Sequence, residues 1–126
     1  MKVIIAGSRT LNKLNYVQFA FAMACNSWAQ KEPDAWKDFY PIEIVSGGAQ
    51  GVDFCGELYA KKHDLLLTSI PADWEKYGKG AGFLRNTQMA KYADRLIAVW
   101  DGQSRGTFHM MSEMMKLSKP IYVYCP

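Results

Sequence analysis

The sequence predicts an α/β fold with a mostly parallel sheet of about five strands and helices on both faces. Three observations predict it. Short apolar, β-branched runs alternate with segments whose apolar residues recur at helical spacing. No tight hairpin signal such as Asn-Gly joins two apolar runs, so right-handed crossovers are expected to link successive strands. Leu96-Ile97-Ala98-Val99-Trp100 is almost continuously apolar, the signature of a strand covered on both faces.

In order, Lys2 to Ala6 is a β-branched apolar run stopped by Gly7, and Gly7-Ser8-Arg9-Thr10 forms the turn after it. Residues 13–30 place Leu14, Val17, Phe21, Ala24 and Trp28 on one helical stripe, with Asn12 as the expected N-cap. Residues 31–41 carry two prolines and mixed charge, and are expected to be a surface connection. Ile42-Glu43-Ile44-Val45 is a second strand. It runs into the turn Ser46-Gly47-Gly48-Ala49-Gln50-Gly51, and Val52, Cys55, Gly56, Tyr59 and Ala60 mark the helix that follows. Leu65 to Ile70 is a third strand closed by Pro71, and Asp73 to Gly82 is expected to be a long polar loop. A short helix opening on Arg85-Asn86, with Phe83 and Ala90 inward, leads to the strand at 96–100. A Gly/Ser turn, a helix over 107–117 and a strand Ile121-Tyr122-Val123-Tyr124 complete a single Rossmann-like domain over residues 1–126, with about four helices.

Composition narrows the function classes. A chain of 126 residues holds one ordinary core, and 49% hydrophobic with 21% charged residues is normal for a globular protein. The net charge of +3 permits a polyanionic partner without requiring one, and no basic run exceeds Lys61-Lys62. Cys25, Cys55 and Cys125 are odd in number and lack CxxC spacing, which speaks against a disulfide framework or a zinc site. No apolar run reaches membrane-spanning length, so a soluble, cytoplasmic protein without a membrane partner is the expectation. Neither a metal nor a resident cofactor is expected.

In parallel sheets ligands bind beyond the carboxyl ends of the strands, which gathers the turns after the first four strands into one cleft. Glycine-bearing turns that open helices present N–H groups and a favourable dipole to an anion. Gly47-Gly48 and Ser104-Gly106-Thr107 are such turns, and Gly7-Ser8-Arg9 adds a cation whose planar fork suits phosphate. Neither GxGxxG nor a Walker A loop fits the sequence. An Arg and an Asn in the first turn of a helix oppose its dipole, so Arg85-Asn86 calls for an anionic partner. Asp53 is a candidate for a ribose hydroxyl, and Asp53, Asp73 and Asp101 are the candidate catalytic carboxylates. Trp74 lies in the long loop, where it either stacks on a base or closes the core. His109 is expected to be a satisfied structural imidazole. Met110, Met111, Met114 and Met115 place apolar groups on two sides of the last helix, one for the sheet and one for a partner subunit, so a homodimer or higher oligomer is expected.

The stretches IIAGSRT, IVSGGAQGVD, DWEKYGKGAGFLRN and ADRLIAVWDGQSRGT, in this order, resemble the SLOG superfamily. More narrowly, they are similar to its YspA/cpYpsA-related group, found in bacteria and their phages. The resemblance spans nearly the whole chain; only residues 13–41 lack a family motif. It implies a Rossmann-like fold that binds nucleotides or nucleotide-derived ligands. Relatives in that superfamily include phosphoribohydrolases that activate cytokinins, a DNA-processing protein that loads recombinase, and antiviral sensor domains for NAD-derived signals. Carried over by motif, it implies ligand contacts at Gly7, Ser8, Arg9, Gly47, Gly48, Asp53, Arg85, Asn86, Ser104, Gly106 and Thr107. The chain departs from the phosphoribohydrolase motif PGGxGTxxE. Setting its Gly-Thr on Gly106-Thr107 puts Met110 at the catalytic Glu, and the first two glycines are missing.

The leading expectation is therefore a domain that binds or senses a nucleotide-type small molecule, such as ADP-ribose, an NAD derivative or a nucleoside monophosphate. The alternatives are a hydrolase of phosphoribohydrolase type and, last, a binder of single-stranded nucleic acid.

Overall fold

Lys2–Gly7 forms β1, and the sheet is built outward from it on both sides. The computed structural model describes residues 1–126. After β1 come α1 (Leu14–Lys31), α2 (Pro33–Trp36), β2 (Glu43–Ser46), α3 (Val52–Lys62) and β3 (Leu66–Ser69). Then follow α4 (Trp74–Tyr77), a 3-10 turn at Gly78–Gly80, α5 (Ala81–Tyr92), β4 (Arg95–Val99), α6 (Arg105–Lys116) and β5 (Ile121–Tyr124). The strand order is β3-β2-β1-β4-β5, and every neighbouring pair is parallel. The predicted α/β class and five-stranded parallel sheet are the observed ones.

The period-2 alternation of the central strands divides the core into two layers. Val3 and Ile5 of β1, with Ile97 and Val99 of β4, meet Val17, Phe21, Ala24 and Trp28 of α1 and Val52 and Cys55 of α3. Ile4, Ala6, Leu96 and Ala98 point the other way, onto Met89 and Ala90 of α5 and Met110, Met111 and Met114 of α6. Every residue of β4 is buried. At roughly 1.5–3 kcal/mol for each large apolar side chain removed from water, these two layers hold the helices to the sheet.

Several local expectations are corrected. Three of the four methionines of α6 belong to the chain's own core, which leaves Met115, 69% exposed, as the one on the outer side. The residue preceding α1 is Lys13, with no side-chain cap, so Asn12 does not cap it. Residues 31–41 are not merely a surface connection. They contain α2, and Phe39 is fully buried, its ring stacked on Trp36 at 4.2 Å and tilted against Trp28 at 6.3 Å. The stretch 73–82 is not an open loop, because Asp73 accepts a hydrogen bond from the Lys76 N–H at 3.1 Å and caps α4. Since α5 starts at Ala81, Arg85 and Asn86 lie in its second turn, and the first-turn dipole argument does not apply to them. Phe83 is half exposed rather than inward, and Asn86, Met89 and Ala90 take the buried side of α5. No helix is long and apolar enough to cross a membrane.

Candidate functional site

All five strands point the same way, so the loops after β1 and β4 emerge at one edge of the sheet. Between them the chain reverses its direction of winding, with α1 and α3 on one face and α5 and α6 on the other. Such a switch point leaves a crevice. Here it is a cavity of about 360 Å³. The first loop supplies Gly7, Ser8 and Arg9, α3 supplies Asp53, α5 supplies Arg85 and Asn86, and the last loop with α6 supplies Asp101, Ser104, Gly106 and Thr107.

Ser8 ties these loops together. Its N–H donates to Val99 O at 3.1 Å, its carbonyl accepts from the Leu11 and Val52 N–H groups, and its hydroxyl accepts from the Asp101 N–H at 3.0 Å. Gly7 is glycine for a packing reason, because a methyl group there would strike the Val99 carbonyl and Val52. Arg9 is exposed, and its guanidinium makes no bond within the chain.

Gly47 and Gly48 are adjacent to the cavity without lining it. The Gly48 N–H donates to Ser46 Oγ at 3.1 Å and the Ala49 N–H to Asp53 Oδ2 at 3.3 Å, so these two donors of the turn are taken up internally. The turn instead grips the site's cation, as Arg85 Nη1 donates to the Gly47 carbonyl.

The three candidate catalytic carboxylates separate cleanly. Asp53 is 5% exposed, and burial pushes its carboxyl up to about 6, against the pull of the Ala49 N–H, the Arg85 guanidinium and the Gly7 N–H. Asp101 is exposed, and hydrogen bonds from the Gln103 and Ser104 N–H groups, both 2.8 Å, hold it below the ordinary carboxylate range. Asp73 caps α4 and lines a smaller neighbouring cavity of about 210 Å³. Only Asp53 combines burial in the main cavity with a carboxyl that titrates near neutrality.

On the α6 side, Ser104 is the N-cap, with Oγ accepting from the Thr107 N–H at 3.4 Å and from Thr107 Oγ1 at 3.1 Å. The N–H groups of Arg105 and Gly106, next along the same turn, have no acceptor within the chain. Across the cavity, Asn86 Oδ1 accepts from Arg85 Nε at 3.0 Å, and its Nδ2 donates to Gly106 O and approaches His109 Nδ1, both at 3.2 Å. His109 Nε2 lies 3.0 Å from Glu113 Oε1. His109 is satisfied, as the sequence predicted, but its link to Asn86 is invisible in sequence; the spacing of His109 and Glu113 by one helical turn was the available signal. Burial lowers the pKa of the Arg85 guanidinium, with Asp53 opposing that shift and Arg9 adding to it.

The site thus offers two guanidinium groups, one free helix N–H donor at Gly106 and one buried carboxyl group that is close to half protonated near pH 6. The chain is 32% identical to the Gene 61 protein of Mycobacterium phage D29, over 95% of its own length and 93% of that protein's. It belongs to the family of that phage protein. No family model matches the chain, and no solved structure matches it.

Proposed function

We propose that the chain binds a nucleotide or nucleotide-derived ligand, such as ADP-ribose, an NAD derivative or a nucleoside monophosphate, in the cavity between β1 and β4. One observation carries this reading. Arg9, Arg85 and the free N–H group of Gly106 all border the same space at the carboxyl edge of a parallel sheet, with the buried Asp53 carboxyl beside them. The cations and the N–H group suit a phosphate, and the carboxyl suits a sugar hydroxyl. A volume of about 360 Å³ lies within the range of small-molecule sites. The resemblance to SLOG domains supports the same ligand class.

The test is a thermal-shift screen against nucleoside monophosphates, ADP-ribose and NAD. A ligand at a hundred times its Kd stabilises by about 2.7 kcal/mol, which raises the Tm of a domain of this size by roughly 10 °C. No shift with any of these ligands would overturn the proposal.

A second reading, hydrolysis of a glycosidic or phosphate bond of the ligand, is favoured by one observation, the Asp53 carboxyl at about 6. A group poised near the working pH is suited to general acid or base duty. Mass spectrometry of the same ligand mixtures decides it: products that disappear in Asp53→Asn make the protein an enzyme, and unchanged ligand makes it a binding domain. Binding of single-stranded nucleic acid, which would show steep salt dependence, gains no comparable observation. Self-association through α6 would rest on Phe108 and Met115, its exposed apolar residues, and light scattering separates monomer from dimer.

A further inference from the structure

Arg85 does not reach the cavity unaided. Its Nη1 is fixed by the Gly47 carbonyl and its Nε by Asn86 Oδ1 at 3.0 Å. Asn86 is fixed in turn from two sides whose roles are unambiguous. Arg85 Nε can only donate, and the Gly106 carbonyl, 3.2 Å from Asn86 Nδ2, can only accept. The amide therefore has one possible orientation, with its NH2 toward His109 Nδ1. That nitrogen must accept, so the proton of the neutral imidazole sits on Nε2 and is donated to Glu113 Oε1 at 3.0 Å. The single Thr87 hydroxyl proton is shared between the Phe83 carbonyl at 3.1 Å and Glu113 Oε1 at 3.3 Å.

We propose that His109 is a positioning residue for the Arg85 guanidinium, and that protonation of its ring loosens Arg85 and weakens the cavity's hold on a phosphate group. The inference rests on the nucleotide-binding reading for its ligand, but not for its mechanism. An imidazolium carries N–H on both nitrogens. Its Nδ1–H would then face the Asn86 NH2, donor against donor. Turning the amide over does not help, because the NH2 would meet Arg85 Nε–H and the amide oxygen would meet the Gly106 carbonyl. No arrangement of these four groups satisfies all of them once the ring is charged.

The surroundings decide which contact gives way. On α6, His109 faces the Glu113 carboxylate, which also has Lys116 Nζ at 3.6 Å. From α5 it meets the Phe83 ring, stacked at 4.0 Å and 8°, and the Asn86 amide, behind which stands Arg85. Arg105 shares the shallow groove beside it. Glu113 and the Phe83 stack both hold a charged ring in place, so the Asn86 contact is the one that breaks. Arg85 then loses the anchor at Nε and keeps only the Gly47 carbonyl.

Two measurements test this. In the ligand-free protein, nitrogen NMR should show neutral His109 protonated at Nε2. The Asn86 NH2 and Arg85 Nε–H signals should shift together as the ring titrates. A neutral ring protonated at Nδ1, or an Arg85 signal indifferent to that titration, overturns the proposal. The second measurement compares the affinity for adenosine monophosphate in wild type and in His109→Gln, whose amide can accept from Asn86 and donate to Glu113 but does not titrate. The titrations of the phosphate and of Asp53 are common to both proteins. Between about pH 8 and about pH 5.5, wild type should lose roughly five-fold or more in affinity relative to His109→Gln. His109→Ala should bind weakly at both pH values. Parallel pH profiles for wild type and His109→Gln overturn the proposal. Coupled NMR shifts without any adenosine monophosphate binding support the positioning chain and count against the nucleotide reading instead.

Discussion

Asp53 and Arg85 meet over Gly47. A methyl group on Gly47 would lie 2.5 Å from Arg85 Nη1 and 2.9 Å from Asp53 Oδ2, so the two charged side chains converge on a surface that only a hydrogen leaves open. Gly47→Ala should push both aside. The expected outcome is a stability loss of roughly 1–3 kcal/mol, as for other overpacked sites, together with loss of ligand-induced stabilisation. Urea melts with and without adenosine monophosphate measure both, and a variant indistinguishable from wild type would refute the packing argument.

Arg85→Ala removes a charged hydrogen-bond donor from the cavity and should cost ligand affinity roughly 1.5–3 kcal/mol. Arg85→Lys should not restore it. A lysine has one point of charge and cannot bond the Gly47 carbonyl and Asn86 Oδ1 at once while facing a ligand. Calorimetric titration of the three proteins gives the comparison, and full recovery in the lysine variant would show that charge alone matters.

Asp53 should make the fold less stable as the pH rises. Its carboxyl titrates at about 6 in the folded chain, above the ordinary 3.8, because burial disfavours the charged form. Between those two values the folded state holds the proton more tightly than the unfolded state does, so stability falls as the pH climbs through that window. The full effect at neutral pH is on the order of 2–3 kcal/mol. Asp53→Asn, which never ionises, should therefore be more stable than wild type at pH 7 and show no such advantage at low pH. Melting curves across that range check it, and a variant less stable at pH 7 than at pH 4 relative to wild type would reverse the sign.

Phe39→Ala should cost roughly 3–5 kcal/mol, the usual range for truncating a buried phenylalanine. The ring packs against Trp28 and Trp36 beside residues that precede β2, at the opposite end of the sheet from the cavity. Ligand affinity of the folded variant should be unchanged. Chemical denaturation and titration separate the two effects.

What could be read from sequence followed from local pattern. The strands were legible because runs such as Val3-Ile4-Ile5-Ala6 and Leu96-Ile97-Ala98-Val99 are apolar throughout. Parallel strands put their following turns on one edge, so Ser8, Arg9, Asp53, Arg85 and Thr107 could be grouped without knowing a single distance. Phe39 was not legible, since its burial depends on rings three and eleven positions away in a segment rich in charge and proline. Four residues are too few for α4 to show a helical period. Asp53, Asp73 and Asp101 could not be ranked, because what distinguishes them is burial and the N–H groups that each one accepts from. The contact from His109 to Asn86 exists only because α5 and α6 lie side by side on one face of the sheet.

The placement of β1 between β2 and β4 means that neither half of the chain owns the cavity. Residues up to Ser69 bring Arg9 and Asp53, and residues from Ala81 onward bring Arg85, Asn86 and Ser104. The join between them passes through Gly78–Gly80, where no residue is buried. A chain cut there would leave two pieces joined along the β1–β4 ladder, each carrying a complementary part of one binding surface that a bound ligand would bridge.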